Sequence, residues 1–164
     1  MLPEFLRTIE QSGLATWMRE SSSLLAYPAV ITLHTFGMAL LAGLSAAISL
    51  RLLGVAPSIA LAPLERFFPL IWLGFWVNAV TGVMLVISYP TKALTDPVFY
   101  VKLGFIAAAM VYMQLIRNRV FRHANPAPAA NGKHLAAVLL LMWFGAIFAG
   151  KFIEYTYRNL IYPG

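Results

Sequence analysis

A long apolar run, from Leu24 to Leu50, contains no charged residue and is followed by Arg51. At about 1.5 Å per residue this run is longer than the roughly 30 Å that an α-helix needs to cross the hydrocarbon core of a membrane. The run therefore predicts a membrane-spanning helix. His34 lies within it, about 15 Å below the first membrane surface, where a polar ring without a partner is costly. We therefore expect the His34 side chain to have a partner.

Three further apolar runs predict three more membrane-spanning helices, at Phe67–Ser88, Val98–Ile116 and His134–Tyr157. The chain has 164 residues, of which 60% are hydrophobic and 11% charged, and this composition is too apolar for a soluble domain of this size. The segment between the second and third spans, Tyr89 to Pro97, contains two prolines and predicts a tight loop.

The predicted fold class is an all-α membrane protein, a bundle of four transmembrane helices with an N-terminal amphipathic surface helix. Residues 1–23 mix charged and apolar side chains at helical spacing and form the interfacial segment. Residues 24–164 form a single transmembrane domain. The lipid bilayer is thus the first partner that the sequence predicts.

The positions of the basic residues predict the orientation of the bundle. Arg51 and Arg66 border the first connection between spans, and the third connection contains Arg117, Arg119, Arg122 and Lys133. Because basic loops stay in the cytoplasm, both termini are predicted to be periplasmic in a bacterial inner membrane. This pattern accounts for the net charge of +6 without nucleic-acid binding, which we do not expect.

The chain has no cysteine, which excludes disulfides, thiolate metal sites and iron–sulfur clusters.

Polar residues from all four spans fall in the periplasmic half of the bundle, and they predict a site. These candidate site residues are His34, Asn78, Lys102 and Lys151, with Arg158 continuing toward the surface. The alternative is that no site exists. In that case Lys151 pairs with Glu154 on its own helix, the Lys102 side chain extends to the interface, and His34 is hydrogen-bonded to Asn78.

A single imidazole within a helix bundle suits an axial bond to the iron of haem b, so His34 is the candidate metal ligand. Lys102, Lys151 and Arg158 lie nearer the surface and suit the two haem propionates. Copper is the alternative cofactor, because His34 and Met38 offer imidazole and thioether ligands to Cu(I). His123 and His134 lie near the opposite face, so a second histidine ligand to the same iron is not expected.

Four short motifs in the sequence are similar to motifs of known membrane-protein families. They are the H-x-x-G of His34–Gly37, the LER of Leu64–Arg66, the TG of Thr81–Gly82, and the DPVFYVKL of Asp96–Leu103. Together they resemble the small four- to five-helix families grouped around the copper-resistance CopD domain and the HemJ-type protoporphyrinogen oxidases. The resemblance implies functional roles for His34 and Lys102.

The fourth span departs from the relatives of this group. Several uncharacterised members have a Gly-Arg pair there, where this chain has Gly150-Lys151. The polar end of the HemJ group, which contains Asn and Pro, is not found, so oxidase activity is not implied.

Three functions remain open from the sequence. The first is a haem-b-binding protein that transfers electrons between a quinone or redox partner and the periplasm. The second is a copper-handling membrane protein. The third is a non-catalytic accessory subunit, in a homo-oligomer or with other membrane subunits. The last is suggested by the small residues Ala39, Gly43 and Ala47, whose spacing of four favours close helix contact.

Overall fold

The computed structural model describes residues 2–122 and 130–161, and these form helices and no β-strand. We number the helices α1 (Leu2–Glu10), α2 (Gly13–Glu20), α3 (Tyr27–Leu53), α4 (Phe67–Ser88), α5 (Pro90–Thr95), α6 (Pro97–Ile116) and α7 (Ala130–Ile161). A π-helical turn interrupts α3 at Ala39–Gly43, and another, Arg117–Phe121, continues α6. A 3-10 turn, Ala62–Arg66, precedes α4.

Four helices in the described part of the chain, α3, α4, α6 and α7, are long and apolar enough to cross a membrane. Large apolar side chains also cover their outer surface; those of Phe36, Trp76, Val111 and Phe144 are each more than half exposed. Continuous apolar surface of this kind is rare on soluble monomers, whereas acyl chains solvate it without cost. The chain thus has the features of a multi-pass membrane protein, as its composition predicts.

Helices α3 and α4 pack most closely at two glycines, Gly37 and Gly74. A Cβ atom added at Gly74 would lie 2.9 Å from the Gly37 carbonyl oxygen and 2.9 Å from the Leu41 backbone nitrogen. Only glycine fits this contact without a backbone shift. By contrast, the predicted packing stripe of Ala39, Gly43 and Ala47 is exposed, and nothing lies within 4 Å of a Cβ added at Gly43. The stripe therefore makes no helix contact with the part of the chain that the structure describes.

Helix α3 changes its packing partner along its length. Its N-terminal half contacts α4, its C-terminal half contacts α7, and α6 and α7 pack along each other. The main hydrophobic core lies at the end of the bundle that contains the C-terminal half of α3, and includes Ile48, Phe68, Ile116 and Leu139. The opposite end, which we call the His34 half, contains the start of α3 and α6 and the end of α4 and α7. It contains a cavity.

The short helices α1, α2 and α5 lie together at the end of the His34 half. Arg19 of α2 joins α1 and the end of α4, since its guanidinium donates to the carbonyl oxygens of Glu10, at 2.7 Å, and Ser88, at 2.8 Å. The Thr91 hydroxyl donates to the Glu10 carboxylate at 2.9 Å. The predicted tight loop from Tyr89 to Pro97 is wrong in detail, because it contains α5. Pro90 occupies the first turn of α5, where the missing N–H of proline has no cost.

Candidate functional site

The His34 ring has a hydrogen-bonded partner in the neighbouring helix α4. His34 Nδ1 lies 3.0 Å from Thr81 Oγ1, and the Thr81 hydroxyl donates its proton to the Val77 carbonyl oxygen at 2.6 Å. Because a hydroxyl has one proton, Thr81 accepts the hydrogen bond from the Nδ1–H of His34. This assignment follows from the hydrogen-bond pattern. In the neutral ring it leaves the lone pair of Nε2 available to a ligand.

Asn78 also binds His34, but through the backbone. Its side-chain nitrogen donates to the His34 carbonyl oxygen at 3.0 Å. The hydrogen bond between His34 and Asn78, expected in the alternative without a site, is thus present through the backbone, whereas the ring is bound by Thr81. Thr81 has no role in the sequence analysis beyond its place in the TG motif. The available signal was its position three residues after Asn78, on the same helix face.

A cavity of about 570 Å³ lies between α4 and α6, and His34, Asn78 and Lys102 are among its lining residues. Its walls are otherwise mostly apolar and include aromatic rings of Tyr27, Phe75, Tyr89 and Phe99. This volume is within the range of roughly 300 to 1,000 Å³ that is usual for small-molecule sites. The cavity therefore combines an apolar body with a few polar groups from three helices, which is the usual composition of a ligand site.

Two titratable side chains of the cavity, His34 and Lys102, each lie beside a glycine of a neighbouring helix. A Cβ added at Gly82 would lie 3.4 Å from His34 Cε1, and one added at Gly150 would lie 3.5 Å from Lys102 Nζ. The Lys102 side chain has no hydrogen bond or ion pair with any side chain that the structure describes. Gly82 and Gly150 thus provide the room in which these two side chains face the cavity.

Two predicted site residues, Lys151 and Arg158, are not among the described residues that line the cavity. Lys151 is exposed and does not line it, and the Arg158 side chain lies outside the described residues. His134 is exposed near the start of α7, at the opposite end of the bundle, and His123 falls in the range that is not described. The structure therefore brings together His34, Asn78 and Lys102.

The described residues contain no group of three or more His, Cys, Asp or Glu side chains that could hold a metal ion. Met38, the second ligand of the copper hypothesis, packs against the hydrophobic core and does not line the cavity. A haem supplies four nitrogen ligands of its own and needs one axial imidazole from the protein. The free Nε2 of His34 and the apolar walls of the cavity fit such a group.

Comparison with known proteins adds no assignment. No protein-family model matches the chain, and neither a curated protein nor a solved structure matches it. The resemblance to the CopD and HemJ-type families stays a prediction from short motifs. The function must therefore be argued from the cavity and its polar groups.

Proposed function

We propose that this protein binds haem b in the cavity of the His34 half, with His34 as the axial ligand. We further propose that it transfers electrons between a quinone or another redox partner and the periplasmic side of a bacterial inner membrane. The proposal is carried by one observation: Thr81 occupies Nδ1 of His34 and leaves Nε2 available beside an apolar cavity. The resemblance of the His34 and Lys102 motifs to haem-associated families is consistent with it.

Three polar residues at or beside the cavity have separate roles in this proposal. Thr81 fixes the orientation and tautomer of the His34 ring, as hydrogen-bond partners of metal-binding histidines generally do. Asn78 holds α4 to the backbone of α3 at the level of His34. Lys102 is the partner for a propionate, since its head has no other acid partner among the described side chains. When bound, the haem supplies one-electron chemistry that the amino acids of this chain lack.

The experiment that tests the proposal is an absorption spectrum of the purified protein after expression with haem supplied. A Soret band with one iron per chain is the expected result. Copper in place of iron would instead support the copper-handling alternative. A protein that contains neither iron nor copper and purifies within a larger assembly would support the accessory-subunit alternative. That last alternative is favoured by the exposed stripe of Ala39, Gly43 and Ala47, which is available to a second copy or another membrane subunit.

Replacing Thr81 by valine should weaken haem binding by about 10- to 100-fold, the usual effect of removing the partner of a metal-binding histidine. Valine keeps the shape of threonine but cannot accept the Nδ1–H bond. Thr81→Ser keeps the hydroxyl and should bind haem nearly as well as the unchanged protein. The measurement is a haem titration followed at the Soret band. Equal affinities for the valine and serine variants would show that Thr81 does not orient the ring.

The proposed orientation places both termini in the periplasm and the basic connection between α6 and α7 in the cytoplasm. In the same orientation α1 and α2 lie along the periplasmic membrane surface, where the exposed Phe5 and Trp17 enter the interface. A reporter enzyme that is active only in the periplasm should be silent when fused between Arg122 and Lys133, and active when fused after Gly164. The reverse pattern would overturn the orientation and would move the His34 half to the cytoplasmic side.

A further inference from the structure

The cavity opens toward the outer surface of the bundle. Val83 of α4 and Leu103 of α6 both line it, and both are also exposed on the outside, at 59% and 46%. The surface around them is apolar and belongs to two membrane-spanning helices. In a bilayer this opening therefore faces acyl chains and not water.

The end of the cavity toward the nearer membrane surface is covered. Tyr89, Lys92 and Ala93, at the start of and within α5, line that end. The Tyr27 and Tyr89 rings meet edge to face there, with centroids 6.4 Å apart. Arg19 holds α1 and α2 against the end of α4 on the same side. These residues and contacts lie between the cavity and the water at that membrane surface.

Lys102 is the residue that specifies the chemistry of such a ligand. A lysine head inside the hydrocarbon region is costly unless it has a partner or reaches water. No described side chain pairs with it, yet it lies along the cavity beside Gly150. A carboxylate on a membrane-dissolved ligand would supply the missing partner, and the apolar walls would contact the rest of that ligand.

We infer that the cavity is entered sideways from the bilayer, between Val83 and Leu103, and that it selects a carboxylate amphiphile whose acid group binds Lys102. The inference rests on this cavity being the ligand site, as proposed above. It does not require the ligand to be haem. Haem propionates and a free membrane acid share the same carboxylate chemistry, and the experiment below separates them.

The first test measures the preference for an acid. The full chain in phosphatidylcholine vesicles is titrated with pyrene-dodecanoic acid and with its methyl ester, and saturable energy transfer from tryptophan to pyrene reports binding. We expect the acid to bind about tenfold more tightly than the ester, because a hydrogen bond to a charged group contributes more than a neutral one, and tenfold corresponds to about 1.4 kcal/mol. Lys102→Met should abolish this preference, and Lys151→Met, at an exposed lysine, should keep it.

Two further variants complete this test. His34→Ala should keep the preference for the acid, because His34 is needed for haem and not for a carboxylate. Glu154→Gln should also keep it; a preference that rises in this variant would mean that Glu154 already neutralises Lys102, and the inference would be overturned. Equal binding of acid and ester by the unchanged protein would overturn it as well.

The second test closes the opening between α4 and α6. The chain has no cysteine, so a Val83→Cys, Leu103→Cys double variant can be joined specifically by a flexible bis-maleimide. We expect the joined protein to take up the acid from vesicles severalfold more slowly than either single variant treated with the same reagent. Uptake at an unchanged rate, with complete joining shown by mass spectrometry, would exclude this route.

Discussion

A His34→Ala protein is expected to fold and, if the proposed function is correct, to lack the haem absorbance expected of the unchanged protein. The substitution removes the Nε2 ligand, and because loss of even an orienting partner costs about 10- to 100-fold in metal affinity, loss of the ligand itself should cost at least 100-fold. Folding should survive, since alanine is a good helix former and the Asn78 bond goes to the His34 backbone. The measurement is the Soret absorbance per chain, together with the helical circular dichroism signal.

The matched control is His134→Ala, which removes an exposed histidine at the other end of the bundle. It should leave the Soret band unchanged. Added imidazole should restore part of the band in His34→Ala, because the lost side chain leaves space for it next to the cavity. Haem binding that survives in His34→Ala, or is lost equally in His134→Ala, would contradict axial ligation by His34.

Gly74→Ala should have the largest effect on stability among single methyl additions in the membrane-spanning helices. The added Cβ would meet backbone atoms of Gly37 and Leu41 at 2.9 Å, and a backbone contact cannot be relieved by a side-chain rotation. Overpacking of this kind costs about 1–3 kcal/mol. The measurement is the temperature midpoint for loss of helicity in detergent, which we expect to fall by several degrees.

Gly43→Ala is the control for this prediction, because Gly43 is also a glycine within a membrane-spanning helix but has open space around its Cβ position. Both substitutions raise helix propensity alike, so the difference between them reports the contact at Gly74. Gly43→Ala should leave the midpoint the same or slightly higher. If both variants lowered the midpoint equally, the α3–α4 contact would not lie at Gly37 and Gly74.

The sequence by itself determined the four long apolar helices and the depth of each polar residue along them. Length and hydrophobicity are properties of a continuous stretch, so the second span, Phe67–Ser88, was predicted with the bounds that the structure has. The expected depth of His34 below the membrane surface followed from its position in the first apolar run, Leu24 to Leu50. These features need no knowledge of neighbouring helices.

Only the tertiary structure decided which side of each helix faces the cavity. Lys102 and Lys151 have similar depths, yet Lys102 lines the cavity and Lys151 is exposed. The partner of the His34 ring is Thr81 and not Asn78, and the close helix contact is at Gly74 and not at Gly43. A helix that is apolar on all sides carries little signal for its rotation about its own axis. That rotation is set by packing between helices, where a single glycine in contact with another backbone outweighs a weak preference in the sequence pattern.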